Sequence, residues 1–182
     1  MKRAIFGFAA AALLALPVLA LAPMSGLQPG EMTSAFEPTH IAGPDKGTET
    51  CPVCKYGNRP AIQVWNTGDD QSNIVAMLNH LDNKVANSKH ELKAFEVRVT
   101  SCEACVSDNG EIAKMVKGGN VGITQIPSTS EAVKAYKINT DGSVKNTVIV
   151  YRNRKVVANF VNLKADKEGL AKLDAAIAKV DN

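Results

Sequence analysis

Hydrophobic and polar residues follow strand and helix periods from residue 61 onward. The β-type run Ala61–Trp65 ends at a polar turn and predicts a buried strand. Apolar residues then recur at three- and four-residue spacing up to about Asn87, which predicts an amphipathic helix. The residues that define its apolar face are Ile74, Met77, Leu78, Leu81 and Val85. Phe95, Val97 and Val99 alternate with polar residues in a second predicted strand.

The pattern continues with two short helices and one more strand. A helix around Ile112–Val116 is stopped by Gly118–Gly119. Val121–Ile126 predicts a third strand that ends before a proline. A second short helix is predicted over Ser130–Tyr136. Strands and helices therefore alternate, which is typical of a parallel sheet with helices on its faces.

The C-terminal part predicts a hairpin and a last helix. Thr147–Tyr151 and Val156–Phe160 are two strands joined by a turn in which Asn153 can adopt a positive φ. A helix begins near Asp166, and the residues on its apolar face are Leu170, Leu173, Ile177 and Val180. The predicted order is β-α-β-α-β-α-β-β-α. We expect a three-layer α/β/α sandwich whose mixed sheet carries the hairpin at one side.

The N-terminal third of the chain differs from the rest. Lys2 and Arg3 precede an uncharged, Ala- and Leu-rich run to Ala22, so residues 1–22 are predicted to be a signal peptide or an uncleaved N-terminal anchor. Residues 23–60 are rich in Pro and Gly and predict a loop-rich extension that holds the first cysteine pair. Residues 61–182 then form one domain. The expected location is the periplasm or outside the cell.

The nearly balanced charge of the chain does not indicate a strongly charged partner. The chain has 21 basic and 18 acidic residues, and removal of the N-terminal run leaves 19 against 18. No basic block or stripe is present, so nucleic acid is not an expected partner. Contact with a membrane is expected only through an uncleaved N-terminal segment.

All four cysteines fall into two Cys-x-x-Cys pairs, Cys51 with Cys54 and Cys102 with Cys105. This spacing suits a small disulfide ring or half of a tetrahedral thiolate site for zinc or copper. In an oxidising compartment such a pair can also be a purely structural disulfide. The cysteines therefore indicate redox chemistry, structural disulfides or metal binding.

The two cysteine pairs begin at opposite edges of the predicted sheet. Cys102 directly follows the strand that contains Val99, whereas Cys51 and Cys54 precede the strand that begins at Ala61. A metal shared by both pairs would need residues 55–60 to run back along the sheet. Two separate dithiols are therefore favoured.

This order of elements resembles the thioredoxin-like superfamily. The stretch Asn120–Phe160 is similar to the peroxiredoxin and alkyl hydroperoxide reductase branch, which adds a strand and a helix before the final hairpin. The resemblance implies thiol-disulfide chemistry without a cofactor. In those proteins the reactive cysteine lies in the turn after the first core strand, and here that turn, Asn66–Asn73, contains no cysteine. The resemblance therefore implies chemistry displaced to the Cys-x-x-Cys pairs.

We predict a thiol-disulfide oxidoreductase that acts on exported proteins with thiols or disulfides. Cys51 is expected to be the attacking thiol, because Lys55 would favour its thiolate, and Cys54 would resolve the mixed disulfide. Cys102 and Cys105 would form a second dithiol that is structural or relays electrons. The alternative is a non-enzymatic protein of the same fold, with structural disulfides or a zinc or copper site.

The copper interpretation would need a histidine close to a cysteine pair. His40 is the only one of the three histidines that could approach Cys51, because it lies in the preceding flexible stretch.

Overall fold

The computed structural model describes residues 22–101 and 106–182. Within them the chain forms a six-stranded sheet and five helices. The elements are β1 (Thr39–Ala42), α1 (Pro52–Tyr56), β2 (Ala61–Asn66), α2 (Gln71–Ala86), β3 (Lys93–Thr100), α3 (Val106–Met115), β4 (Gly122–Pro127), α4 (Glu131–Ala135), β5 (Asn146–Arg152), β6 (Lys155–Val161) and α5 (Lys167–Ile177). The predicted signal segment lies almost entirely outside the described residues. No helix in the described ranges is long and apolar enough to cross a membrane.

The sheet is mixed, with strand order β1-β4-β3-β2-β5-β6. The three central strands β2, β3 and β4 run parallel, while β1 pairs antiparallel with β4 at one edge. The hairpin β5–β6 is antiparallel and adds to β2 at the other side. From β2 to the C-terminus, the order of elements is the predicted one.

Local sequence signals account for several element ends. Asp166 caps α5, because its carboxylate accepts the backbone N–H of Gly169 at 2.8 Å. Ser130 caps α4 in the same way. At the hairpin turn, Asn153 and Arg154 have φ angles of 53° and 60°, which matches the twist of the two strands. The predicted positive φ at Asn153 is confirmed.

Two hydrophobic layers cover the sheet, one on each face. The helices α2, α3 and α5 bury their apolar sides against one face. The helices α1 and α4 and the N-terminal segment around Leu27 pack on the other face, which is rich in aromatic side chains. The arrangement is a three-layer α/β/α sandwich, as the alternating pattern predicted.

Residues 23–60 contain two elements that the sequence pattern did not predict. His40 and its neighbours form β1, and Pro52 begins α1. Both elements are short, so neither shows a full period of apolar residues. The strand is recognisable only from its pairing with β4, in which Thr39 lies opposite Gln125. The first cysteine pair therefore lies in a short helix that packs on the sheet.

Candidate functional site

The first cysteine pair closes a disulfide at the start of α1. The Cα atoms of Cys51 and Cys54 are 5.3 Å apart. Cys51 is the N-cap residue, and its Sγ accepts the backbone N–H of Cys54 at 3.1 Å. Pro52 occupies the first helical position, where its fixed φ suits a helix start and its missing N–H costs nothing. The helix start therefore supplies a hydrogen bond to one sulfur of the pair.

The two cysteines differ in exposure. Cys54 is exposed, whereas Cys51 is partly buried and packs against the aromatic layer of the sheet. Val53 and Tyr56, which are 1% and 6% exposed, pack the helix against the sheet. The Tyr56 ring meets Phe95 edge to face at 5.7 Å between centroids. Val53, Tyr56 and Phe95 thus form a hydrophobic base under α1, and Cys54 lies on the solvent side of the helix.

The basic residues beside the pair bind other partners. Lys55 Nζ donates a hydrogen bond to the carboxylate of Asp45, with which it forms an ion pair. Arg59 donates to the backbone carbonyls of Tyr56 and Lys55 at the end of α1, at 2.9 and 2.5 Å. Its guanidinium also lies 5.9 Å from the centre of the Tyr56 ring. Lys55 therefore has a carboxylate partner next to the disulfide, and its predicted effect on the Cys51 thiolate stays a prediction.

His40 lies under the segment that leads into the disulfide. The residue is 3% exposed, and its Nε2 is 2.8 Å from the carbonyl oxygen of Thr50. Because a carbonyl oxygen only accepts, Nε2 is the nitrogen that donates this hydrogen bond. His40 therefore positions the residue before Cys51. In the part of the chain that the structure describes, no group of three or more His, Cys, Asp and Glu could hold a metal ion.

A closed polar network fills the turn after β2, where a thioredoxin-like cysteine would lie. The Asp69 carboxylate accepts the side-chain amides of Asn73 and Asn146 at 2.5 and 2.6 Å. Asn66 Oδ1 accepts the backbone N–H groups of Gly68 and Asp69, each at 3.2 Å. The network fixes the start of α2 against β5.

A buried acid that was not predicted from the sequence lies next to this network. Glu96 in β3 is fully buried, and its Oε1 accepts the Asn66 amide at 3.1 Å. Burial is the largest influence on this carboxyl group and raises its pKa to about 8, against the smaller lowering effects of Asn66, Arg98 and Asn109. In the sequence, Glu96 is one of the polar residues that alternate with Phe95, Val97 and Val99, and no role was predicted for it. A central strand of a parallel sheet is covered on both faces, so the position of Glu96 in such a strand was the signal that could have indicated its burial.

A cavity of about 320 Å³ lies near the C-terminal ends of the parallel strands β2 and β3. Its lining residues are Asp69, Gln71, Arg98, Glu111 and Ile112. The second predicted dithiol, Cys102 and Cys105, lies outside the described residues. In sequence, Cys102 follows the last residue of β3 by two positions.

Solved structures similar to this chain share its fold at low sequence identity. The thioredoxin domain of a thiol-disulfide oxidoreductase from Bacteroides vulgatus has a TM-score of 0.58 and 14% identity, and the match covers 86% of this chain and 99% of that one. A yeast mitochondrial 1-Cys peroxiredoxin has a TM-score of 0.58 and 15% identity, over 85% and 78% of the two chains. Arabidopsis thaliana ScoI with copper bound has a TM-score of 0.52 and 12% identity, over 82% and 99%.

Comparisons of sequence alone find no match. No family model matches the chain, and no curated protein matches it significantly. The architecture and its structural neighbours together define the class of protein: the chain has a thioredoxin-like fold. Within that fold its first Cys-x-x-Cys pair lies on α1, before β2, and the usual cysteine turn after β2 contains no cysteine.

Proposed function

We propose that this protein exchanges thiols and disulfides with other proteins through Cys51 and Cys54. The observation that carries the proposal is the difference between the two sulfurs. The residue Cys54 is exposed to a partner, and Cys51 Sγ receives a backbone N–H at the start of a helix. The same fold occurs in thiol-disulfide oxidoreductases, which supports this chemistry.

The exchange proceeds in two balanced steps. A thiolate of the partner attacks Cys54 Sγ, a new S–S bond forms, and the electron pair of the Cys51–Cys54 bond leaves on Cys51 Sγ. The Cys54 N–H stabilises that leaving thiolate. A second thiolate of the partner then attacks the partner sulfur that is bonded to Cys54. This closes a disulfide in the partner and releases Cys54 as a thiolate, and two protons convert Cys51 and Cys54 to thiols. The partner loses two electrons and the protein gains them, and the reverse sequence oxidises the protein.

This proposal reverses the roles expected from the sequence, in which Cys51 attacks and Cys54 resolves. Lys55 was the reason for that order, and Lys55 binds Asp45. Exposure supports Cys54 as the sulfur that forms the mixed disulfide, because a partner must approach it in line with the S–S bond. Cys51 then acts as the resolving thiol.

Single-cysteine variants test the assignment. Cys51→Ser and Cys54→Ser are made in a background in which Cys102 and Cys105 are also serine, so that one thiol remains in each protein. We expect reduced Cys51→Ser, which keeps the exposed Cys54, to form the adduct with glutathione disulfide about tenfold faster than Cys54→Ser, measured by intact mass, because the reagent has easier access to Cys54. Circular dichroism of both variants controls for folding.

Either of two results contradicts the proposal. Faster capture by Cys54→Ser would restore Cys51 as the attacking thiol. Folded variants that both react no faster than free cysteine, together with no reduction of the wild-type pair by dithiols, would leave Cys51 and Cys54 as a structural disulfide.

The proposed setting is extracytoplasmic, and the hydrophobic N-terminal run supports it. The partners there are exported proteins that carry thiols or disulfides. Cys102 and Cys105 remain a predicted second dithiol, which is structural or passes electrons to the first.

A further inference from the structure

Asp45 places a buried carboxylate beside the helix that carries the disulfide. Its side chain is 6% exposed, and Lys55 Nζ binds its Oδ1. In the residues that the structure describes, Asp45 Oδ2 has no hydrogen-bond partner. The Asp45 charge also acts on Tyr56, where burial is the largest influence and Asp45 the second, and together they raise the pKa of the tyrosine to about 12. The carboxylate therefore faces α1.

The loop that carries Asp45 is held in place by β1 and β4. The carbonyl oxygen of Asp45 accepts the Thr48 hydroxyl at 2.8 Å, and His40 exchanges backbone hydrogen bonds with Gly47 and Thr48 at 3.0 and 3.2 Å. Gly43 has a φ of 91°, and a Cβ there would lie 2.4 Å from the carbonyl oxygen of Val121. Only glycine permits this close approach, so the position of Asp45 is fixed.

Lys55 lies one helical turn after Cys51 and has a natural path to it. The Lys55 backbone N–H donates to the Cys51 carbonyl at 3.0 Å. Side chains on a helix lean towards its N-terminus, so residues at i and i+4 are neighbours on the surface. Lys55 is thus the basic residue of α1 one turn after the N-cap Cys51, and its ammonium group has a carboxylate partner in the structure. Asp45 is that partner.

We propose that Asp45 is a positioning residue that sets the reduction potential of the Cys51–Cys54 pair by binding the ammonium group of Lys55. This rests on the proposed function of the same pair. Reduction adds two electrons and leaves a thiolate on Cys51, which a nearby ammonium would stabilise. With Lys55 bound to Asp45, that stabilisation is withheld and the disulfide is favoured. Asp45 thus makes the dithiol a stronger reductant.

The test is a double-mutant cycle on the full-length protein. The variants are Asp45→Asn, Lys55→Gln and the double variant, with Asp141→Asn as an exposed control. For each, the glutathione equilibrium of the Cys51–Cys54 pair and the pKa of the Cys51 thiol are measured. We expect Asp45→Asn to lower the thiol pKa by about one unit and to shift the equilibrium about tenfold towards the dithiol, which is about 30 mV. In the Lys55→Gln background, the same change should have little effect.

Two results would overturn the inference. One is a potential and a thiol pKa that Asp45→Asn leaves unchanged or moves the other way. The other is an Asp45→Asn effect of full size in the Lys55→Gln background, because Asp45 would then act directly on the sulfur. These measurements need only a reducible disulfide. A protein that shows the Asp45 effect but passes no electrons to other proteins would therefore refute the proposed function alone.

Discussion

Replacing Glu96 with glutamine is expected to make the protein more stable than the wild type at pH 8 to 9 and equally stable near pH 4. Glu96 is fully buried in β3, and burial raises its pKa to about 8. In the described residues, Glu96 Oε2 and Asn109 Oδ1 are both buried acceptors without a donor. A proton on Glu96 removes the buried negative charge, and a glutamine amide at this position is neutral at every pH.

Proton binding at Glu96 makes the stability of the folded state depend on pH. The folded state holds the Glu96 proton more tightly than the unfolded state, whose carboxyl group has an ordinary pKa near 4.5. The contribution of Glu96 to stability is therefore complete below about pH 4.5 and decreases as the pH rises to about 8. The shift corresponds to about 5 kcal/mol at 1.36 kcal/mol per pH unit. Glutamine removes this loss.

Urea unfolding of both proteins at pH 4, 6 and 8.5 measures the effect. The charged groups closest to Glu96, such as Arg98, are present in both proteins, so the difference between the two stability curves isolates Glu96. Stability curves that stay parallel across this range would show that Glu96 does not hold a proton in the folded state.

Truncating Phe95 to alanine is expected to lower the free energy of unfolding by about 3 to 5 kcal/mol. Phe95 is fully buried in the aromatic layer, where its ring lies 5.7 Å from Tyr56 and 6.3 Å from Phe36. Its Cβ packs close to Gly122 of β4, where an added Cβ would lie 3.2 Å away. The cavity would lie directly under α1.

The matched control is Phe160→Ala on the edge strand β6, where the phenyl ring is only partly buried. We expect a loss of about half the Phe95 value or less, measured by the same urea titration. Equal losses at the two positions would contradict the assignment of Phe95 to the hydrophobic base of α1.

Periodicity predicted the elements that are long enough to show a period. The apolar spacing of α2 and the alternation of β3 are visible in the sequence because each element packs on a large sheet. Caps and turns were also local signals, as at Asp166 and Asn153. These features depend on residues that are near one another in the chain.

Contacts between distant residues could not be predicted in this way. The strand β1 depends on pairing with β4, more than eighty residues later. The partner of Lys55 is Asp45, which comes from a loop whose path depends on that strand. Without this contact, a lysine four residues after Cys51 indicated a stabilised thiolate. The charge environment of the dithiol therefore follows from the tertiary structure.

The reduction potential of the Cys51–Cys54 pair tests the central claim most directly. Metal-free protein is equilibrated in glutathione buffers, thiols are trapped with an alkylating reagent, and each cysteine pair is quantified by mass spectrometry. Exchange through this pair predicts a potential between about −120 and −270 mV. A pair that stays oxidised below about −300 mV would contradict the account and assign Cys51 and Cys54 to a structural disulfide.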